Sequence, residues 1–344
     1  MRRRTWITVA IILAVLAALA VAVYLRKKAP PEAARLLPEA DAIVYFNLKP
    51  LRALTHFDQH PVQHDPDYQA FINATGIQFE RDLDEAAFAI HRMADPNGPN
   101  GAVAYSEIFV GRFNGPRLTR YLATLAADTE NYAGHTIYRI PHEGRNVRVA
   151  LLGYDMVAVS NTPTPEQMHS MIDRYHMAAL PFSGPTLLAQ HYPDVPLLSQ
   201  VWGIGKIGLP FADGHHLQLF GMPLPLPADT TFIASVRFLG SLRLRIEEIA
   251  PTDSSAQAST QVANFAIKFF LSGLTDSASS DATQGRTLAD LGTFLRSATV
   301  QQKGNRAILR AVIPISMLED LAASVKSTPT PADDSAGTSS NPQK

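Results

Sequence analysis

The chain has 344 residues, 46% of them hydrophobic and 18% charged, with 25 prolines, 20 glycines and no cysteine. That composition is globular, and the length fits one large domain or two ordinary ones. Without cysteine there is no disulfide framework, thiolate nucleophile or cysteine-ligated metal centre, and a net charge of −1 gives no general attraction to nucleic acid.

Trp6 to Leu25 carries no charge and is bracketed by Arg2, Arg3 and Arg4 before it and Arg26, Lys27 and Lys28 after it. At ~1.5 Å per residue a helix of this length spans roughly 30 Å, the thickness of a bilayer core. Trp6 and Tyr24 fall at the ends, where amphipathic rings favour the headgroup zone. Residues 1–28 therefore read as an N-terminal membrane anchor. A cleaved signal is the alternative, with small-residue sites at Ala18-Leu19-Ala20 and Ala20-Val21-Ala22. Every globular element follows the anchor, so the expected orientation is N-inside with the body extracytoplasmic, which for a bacterial protein means periplasmic. Apart from the two flanking basic clusters the chain carries 24 basic and 31 acidic residues. Such a body is repelled by anionic lipid and hangs from the membrane. Residues 29–35 read as a Pro-containing spacer.

The body repeats one plan. Asp41–Leu48 opens the first half as a strand. Pro66–Thr75 is a helix closed by Gly76. Strands at Ala86–Ile90 and Ala102–Phe113 are split by the turn-rich Asp95-Pro96-Asn97-Gly98-Pro99. A helix over 116–127 carries Leu118, Tyr121, Leu122 and Leu125 on one face. Strands at Thr136–Ile140, Val147–Leu152 and Met156–Ser160 follow. Thr164-Pro165-Glu166-Gln167 then starts a helix with Met168, Met171, Ile172 and Tyr175 as its apolar stripe.

In the second half, Thr231–Phe238 and Ser241–Ile249 pair as strands. Ser255–Leu271 is a helix whose buried face is expected to hold Val262, Phe265, Ala266, Phe269 and Phe270. Thr287–Leu295 is a second helix. Ala298–Gln302 and Ala307–Ile313 flank the hairpin turn Lys303-Gly304-Asn305. Ser316-Met317-Leu318-Glu319 is a capping box, continued by Leu321 and Val325. Residues 327–344, rich in Pro, Ser, Thr and Asp, read as a disordered tail. The expected fold class is α+β: two similar lobes, residues 36–182 and 183–326, of antiparallel sheet covered by helices, after one N-terminal transmembrane helix.

The chemical motifs are weak. Gly203-Ile204-Gly205-Lys206-Ile207-Gly208 has the spacing of a dinucleotide loop, but Pro210 follows where a helix must start. A glycine-rich strand or loop is the better reading. His56, His60 and His64 have one-face helical spacing that fits a metal, yet Pro61 interrupts it and Pro66 follows. The better reading is a polar loop. Asp213, His215 and His216 are weaker still. Glu80, Asp82, Asp84 and Glu85 around Arg81 read as a solvated segment rather than a catalytic carboxylate pair. Leu217–Pro227 reads as a buried connector between lobes, or else as an exposed contact loop.

Leu37-Pro38-Glu39-Ala40-Asp41-Ala42-Ile43-Val44-Tyr45-Phe46-Asn47-Leu48 follows the anchor, then Tyr68–Gly76 and Arg81–Asp84. Over residues 36–90 this resembles uncharacterised bacterial envelope proteins with an LP-x-x-A-x-x-x-Y-x-x-L strand after a signal or anchor. The resemblance implies a tethered, extracytoplasmic protein and brings no catalytic residue. The sequence thus points to a membrane-anchored binding or structural protein, not an enzyme, with no cofactor and no metal. Its expected partners are the membrane and an envelope protein or apolar ligand, and not nucleic acid. The alternatives are a carrier or chaperone for lipid or another apolar ligand, and a hydrolase with a dispersed site.

Overall fold

The structure, a computed structural model, describes residues 29–56, 58, 64–178, 183–206, 218–219, 222–223, 230–238, 240–275 and 282–317. The anchor, His60, Asp213, His215, His216, Leu318 onward and the tail lie outside the described residues. Among the described residues no helix is long and apolar enough to cross a membrane.

The first half runs α1 (Glu32–Leu36), β1 (Ala42–Asn47), α2 (Leu48–Thr55), α3 (Pro66–Thr75), α4 (Phe79–Asp82), β2 (Leu83–Arg92) and β3 (Val103–Gly111). It continues through α5 (Gly115–Leu125), β4 (Asp128–Tyr132), β5 (His135–His142), β6 (Arg145–Leu152), β7 (Met156–Ser160) and α6 (Glu166–His176). The second half holds α7 (Thr186–His191), a 3-10 turn (Tyr192–Asp194), β8 (Val201–Lys206), β9 (Gln218–Leu219) and β10 (Met222–Pro223). Then come β11 (Thr231–Phe238), β12 (Leu242–Ile249), α8 (Asp253–Thr275), α9 (Ala282–Ser297), β13 (Thr299–Lys303) and β14 (Arg306–Ile313).

Twelve strands form one antiparallel sheet, ordered β13-β14-β12-β11-β8-β1-β2-β3-β7-β6-β5-β4. The fold is thus α+β, with a large antiparallel sheet and helices. β1 pairs with β8 at its centre, Tyr45 opposite Trp202, and their rings stack at 5.3 Å. Outward from β1 the strands run β2, β3, β7, β6, β5, β4, and outward from β8 they run β11, β12, β14, β13. The β9–β10 pair stands apart from this sheet.

One face of the sheet is the main core. Ile43, Tyr45, Ala87, Ala89, Ile108, Trp202, Ile204 and Ile233 project from it and are buried. They lie beneath Leu36 of α1, Met168, Met171 and Ile172 of α6, and Leu187 and Leu188 of α7. Residues 29–35 are therefore not a spacer. Ala33 and Ala34 have no exposed surface, and Arg35 donates to the Ala178 carbonyl at 3.2 Å. A five-residue helix with two alanines is too short and too small to show an apolar period, so composition hid it.

Several sequence signals become structure directly. Asp65 accepts from the Tyr68 amide, Pro66 opens α3, and Gly76 closes it at φ +77. Asn114 caps α5, and Leu118 and Leu122 of its stripe are buried while Leu125 is exposed. At Pro165 the backbone is already helical, ahead of Glu166.

The phenylalanine face of α8 is a correction. Phe265 and Phe269 are 61% and 57% exposed. The helix buries Ala256, Ser259, Ala266 and Ile267 instead, and packs on β13, β14 and α9. Small side chains on that stripe let the helix approach the sheet, which turns the rings outward.

Candidate functional site

The opposite face of the sheet is covered at its two flanks. Leu118 and Leu122 of α5, with Phe71 of α3, pack on Tyr138, Val149 and Val157 on one side. On the other, Ser259 of α8 donates to Glu248 at 2.9 Å, and α9 packs beside it on β14. Between the flanks, strict side-chain alternation divides the central strands into two unequal faces. On the core face Ile43, Tyr45, Ala87, Ala89, Ile108, Trp202, Ile204 and Ile233 are buried. On the flank-bounded face Val44, Phe46, Phe88, Glu107, Val201, Gly203, Phe232, Ala234 and Val236 are all half-buried.

Register aligns one row of these residues across the strands. Glu107 of β3 faces Phe88 of β2, which faces Val44 of β1. Val44 faces Gly203 of β8, which faces Ala234 of β11. At ~4.8 Å between strands the row spans roughly 19 Å. Phe46, Phe88 and Phe109 form an edge-to-face ladder beside it, with centroids 5.9 Å and 5.8 Å apart. The result is a trough, aromatic at one end and floored by glycine and alanine at the other.

Glu107 is the carboxylate in this apolar row. Its strand neighbours across the sheet are Phe88 and Val159. Burial alone pushes its carboxyl up to about 7, with no contribution from another charge. The glycine motif falls here as well. Gly203, Gly205 and Lys206 belong to a strand, not to a phosphate loop. Gly203 lacks a steric reason to be glycine, because a Cβ there would lie 3.6 Å from the Ile43 carbonyl and 3.7 Å from Val44 Cγ2. Both are ordinary contacts, and its φ is not positive.

The remaining candidates resolve into structural pairings. His56 caps α2 in a left-handed conformation. His64 Nε2 lies 3.1 Å from Glu80 Oε1, and Tyr68 donates to Glu80 Oε2 at 3.0 Å. Among the described residues no cluster of three or more metal-ligand side chains forms. The acidic run is not a solvated segment, because each carboxylate has its own partner. Asp82 is buried between Arg81 at 2.6 Å and Arg112 at 3.5 Å. Asp84 binds Arg52 and Lys49, both at 3.2 Å. Glu85, its carboxyl raised by burial, accepts from Tyr45.

Two arrangements escaped the sequence. His91 Nε2 lies 2.9 Å from Ser106 Oγ, which leads to Ser160 Oγ at 3.2 Å and on to Thr162. Ser106 and Ser160 have no exposed surface, so no substrate reaches the serine. On the outer side of α6 a cleft of about 490 Å³ is lined by Glu166, His169, Asp173, Arg174 and Met177. Its His169, Asp173 and Arg174 already have partners. His169 meets Glu130 at 2.7 Å and stacks on Tyr132, which donates to Asp173, while Arg174 binds Glu39.

No protein-family profile matches the chain, and no curated protein matches it. Solved structures similar to it include three crystal forms of TP0453. Form III has 14% identity and a TM-score of 0.46, covering 86% of this chain and 99% of the other. Form I has 14% identity and a TM-score of 0.42, with 87% and 99% covered. Form IV has 15% identity and a TM-score of 0.46, with 86% and 96% covered.

Proposed function

We propose that this chain is a non-catalytic binding protein, tethered to the membrane by Trp6–Leu25 with its body outside the cytoplasm, and that it holds an apolar ligand in the trough between its helical flanks. The charge-free segment between two basic triplets supports the tether. The resemblance to bacterial envelope proteins over residues 36–90 supports the compartment. Strand order that matches over four strands outward from each member of the β1–β8 pair, with β5 and β4 added on one side, supports a body of two similar lobes, here sharing one sheet.

The observation that carries the ligand reading is the contrast between the two faces of the same strands. One face is sealed beneath α1, α6 and α7. The other buries Ala42, Ala86 and Ile90 but leaves Phe46, Phe88, Val44 and Val236 partly exposed beside glycine and alanine. A contiguous, partly open apolar surface bounded by walls is a ligand site rather than ordinary surface. Phe265 and Phe269 add apolar contact area outside the trough.

The test is saturable binding of the neutral probe N-phenyl-1-naphthylamine to the full chain in nanodiscs, with empty nanodiscs as reference. Binding that Gly203→Leu weakens at least tenfold is expected. Absence of saturable binding overturns the proposal.

A further inference from the structure

We infer that the ligand is an amphiphilic amine, its ammonium at Glu107 and its apolar body laid across Phe88, Val44, Gly203 and Ala234. This deepens the trough reading and rests on it. The case begins with the carboxylate. Glu107 lies between Phe88 and Val159 in the ladder, with Phe109 two residues along its own strand. Among the described residues no cation pairs with it: the ion pairs there involve other carboxylates, including Asp82, Asp84, Glu80, Glu130 and Glu247. A half-buried carboxylate without a partner is costly, and neutral glutamine or leucine at that position lowers the cost. A ligand ammonium offsets it. An anionic ligand adds like-charge repulsion in a weakly screened site.

The floor supplies the second half of the argument. Phe88 and Val44 give apolar contact next to the charge, and Gly203 and Ala234 leave the next two strands low. Gly203 has room for a methyl group, so packing does not require glycine there. Its absent side chain keeps the trough continuous over a length suited to an extended alkyl chain. Gly205 sits on the same face two residues on, where Phe232 opposes it.

The experiment displaces N-phenyl-1-naphthylamine from the full chain in phosphatidylcholine nanodiscs at pH 8, using dodecylammonium and dodecanoate, whose chains are long enough to reach from Glu107 to Gly203. Dodecylammonium is expected to bind at least tenfold more tightly than dodecanoate. Glu107→Gln should bring the two within threefold of each other. Gly203→Leu should weaken both at least tenfold while leaving the circular-dichroism melt unchanged. Equal wild-type affinities, or a preference for the amine that survives Glu107→Gln, overturn the amine inference while the apolar-ligand reading stands. Saturable binding of neither the probe nor the two amphiphiles overturns both.

Discussion

Glu107 and Phe88 face each other across the β2–β3 ladder, which encloses a carboxylate between apolar neighbours on both sides. The folded state favours its neutral form, since burial raises the carboxyl from 4.5 to about 7. A raised carboxyl contributes stability that is fully present below the unfolded value and is lost as pH rises through the folded one. The loss therefore develops between about pH 4.5 and pH 7 and reaches up to ~3 kcal/mol above that range. Glu107→Gln should be more stable than the parent at pH 8 and equal to it at pH 4. Urea unfolding at both values measures this. A Gln variant that loses stability with pH as the parent does would remove Glu107 as the source.

Phe265 and Phe269 stack on each other, 6.1 Å apart, on the open side of α8. Truncating a buried phenylalanine costs ~3–5 kcal/mol. Exposed positions usually change stability by ~0.5 kcal/mol or less. The double substitution Phe265→Ser, Phe269→Ser should therefore leave the urea midpoint almost unchanged. A loss of several kcal/mol would restore the core reading of that face.

Glu247 on the core face is 1% exposed and is bound by Arg245 and Arg306. Arg306 also reaches Asp194 at 2.9 Å, which ties the 3-10 turn to β12 and β14. Leaving a buried charge with no partner at all costs ~3–5 kcal/mol. Arg306→Ala takes one of two partners and leaves Arg245 on Glu247, so it should lower the unfolding free energy read from urea curves by ~1–3 kcal/mol, with little dependence on salt because the Glu247 carboxylate is buried. A strongly salt-dependent effect would mean that the network is wet.

How much of this was legible depends on where the information lies. α3 was readable to the residue because its cap, its first proline and its terminal glycine are local signals. β4 was not, because Asp128-Thr129-Glu130-Asn131-Tyr132 is an exposed edge strand held by backbone pairing to β5. The apolar residues of α8 were readable, but which of them turn inward depends on the strands it packs against. The trough is less legible still. Its row joins Glu107, Phe88, Val44, Gly203 and Ala234 through four separate strand registers. The glycine spacing was visible as a motif, while the face it occupies was not.

His91 gives the last prediction, opposite in sign to that for Glu107. Burial lowers its basicity against the smaller opposing effects of Asp41 and the Glu39 carbonyl. The ring is held neutral beside Ser106 at 2.9 Å, in a chain that continues through Ser160 to Thr162. A histidine with a lowered folded value binds fewer protons folded than unfolded. Its contribution to stability is full above the unfolded value near 6.5 and falls with pH below it, by about 1.4 kcal/mol per pH unit until the folded value is reached. Ser106→Ala should cost ~1–3 kcal/mol at neutral pH, because it leaves the imidazole and Ser160 short of a partner. His91→Asn should flatten the acid limb of the stability profile between pH 6.5 and pH 5. Urea midpoints across pH 5–8 for the parent, His91→Asn and Glu107→Gln separate the two groups. His91→Asn should act only on the acid side and Glu107→Gln mainly towards neutral and alkaline pH, and an acid limb that persists in His91→Asn would place its origin in another group.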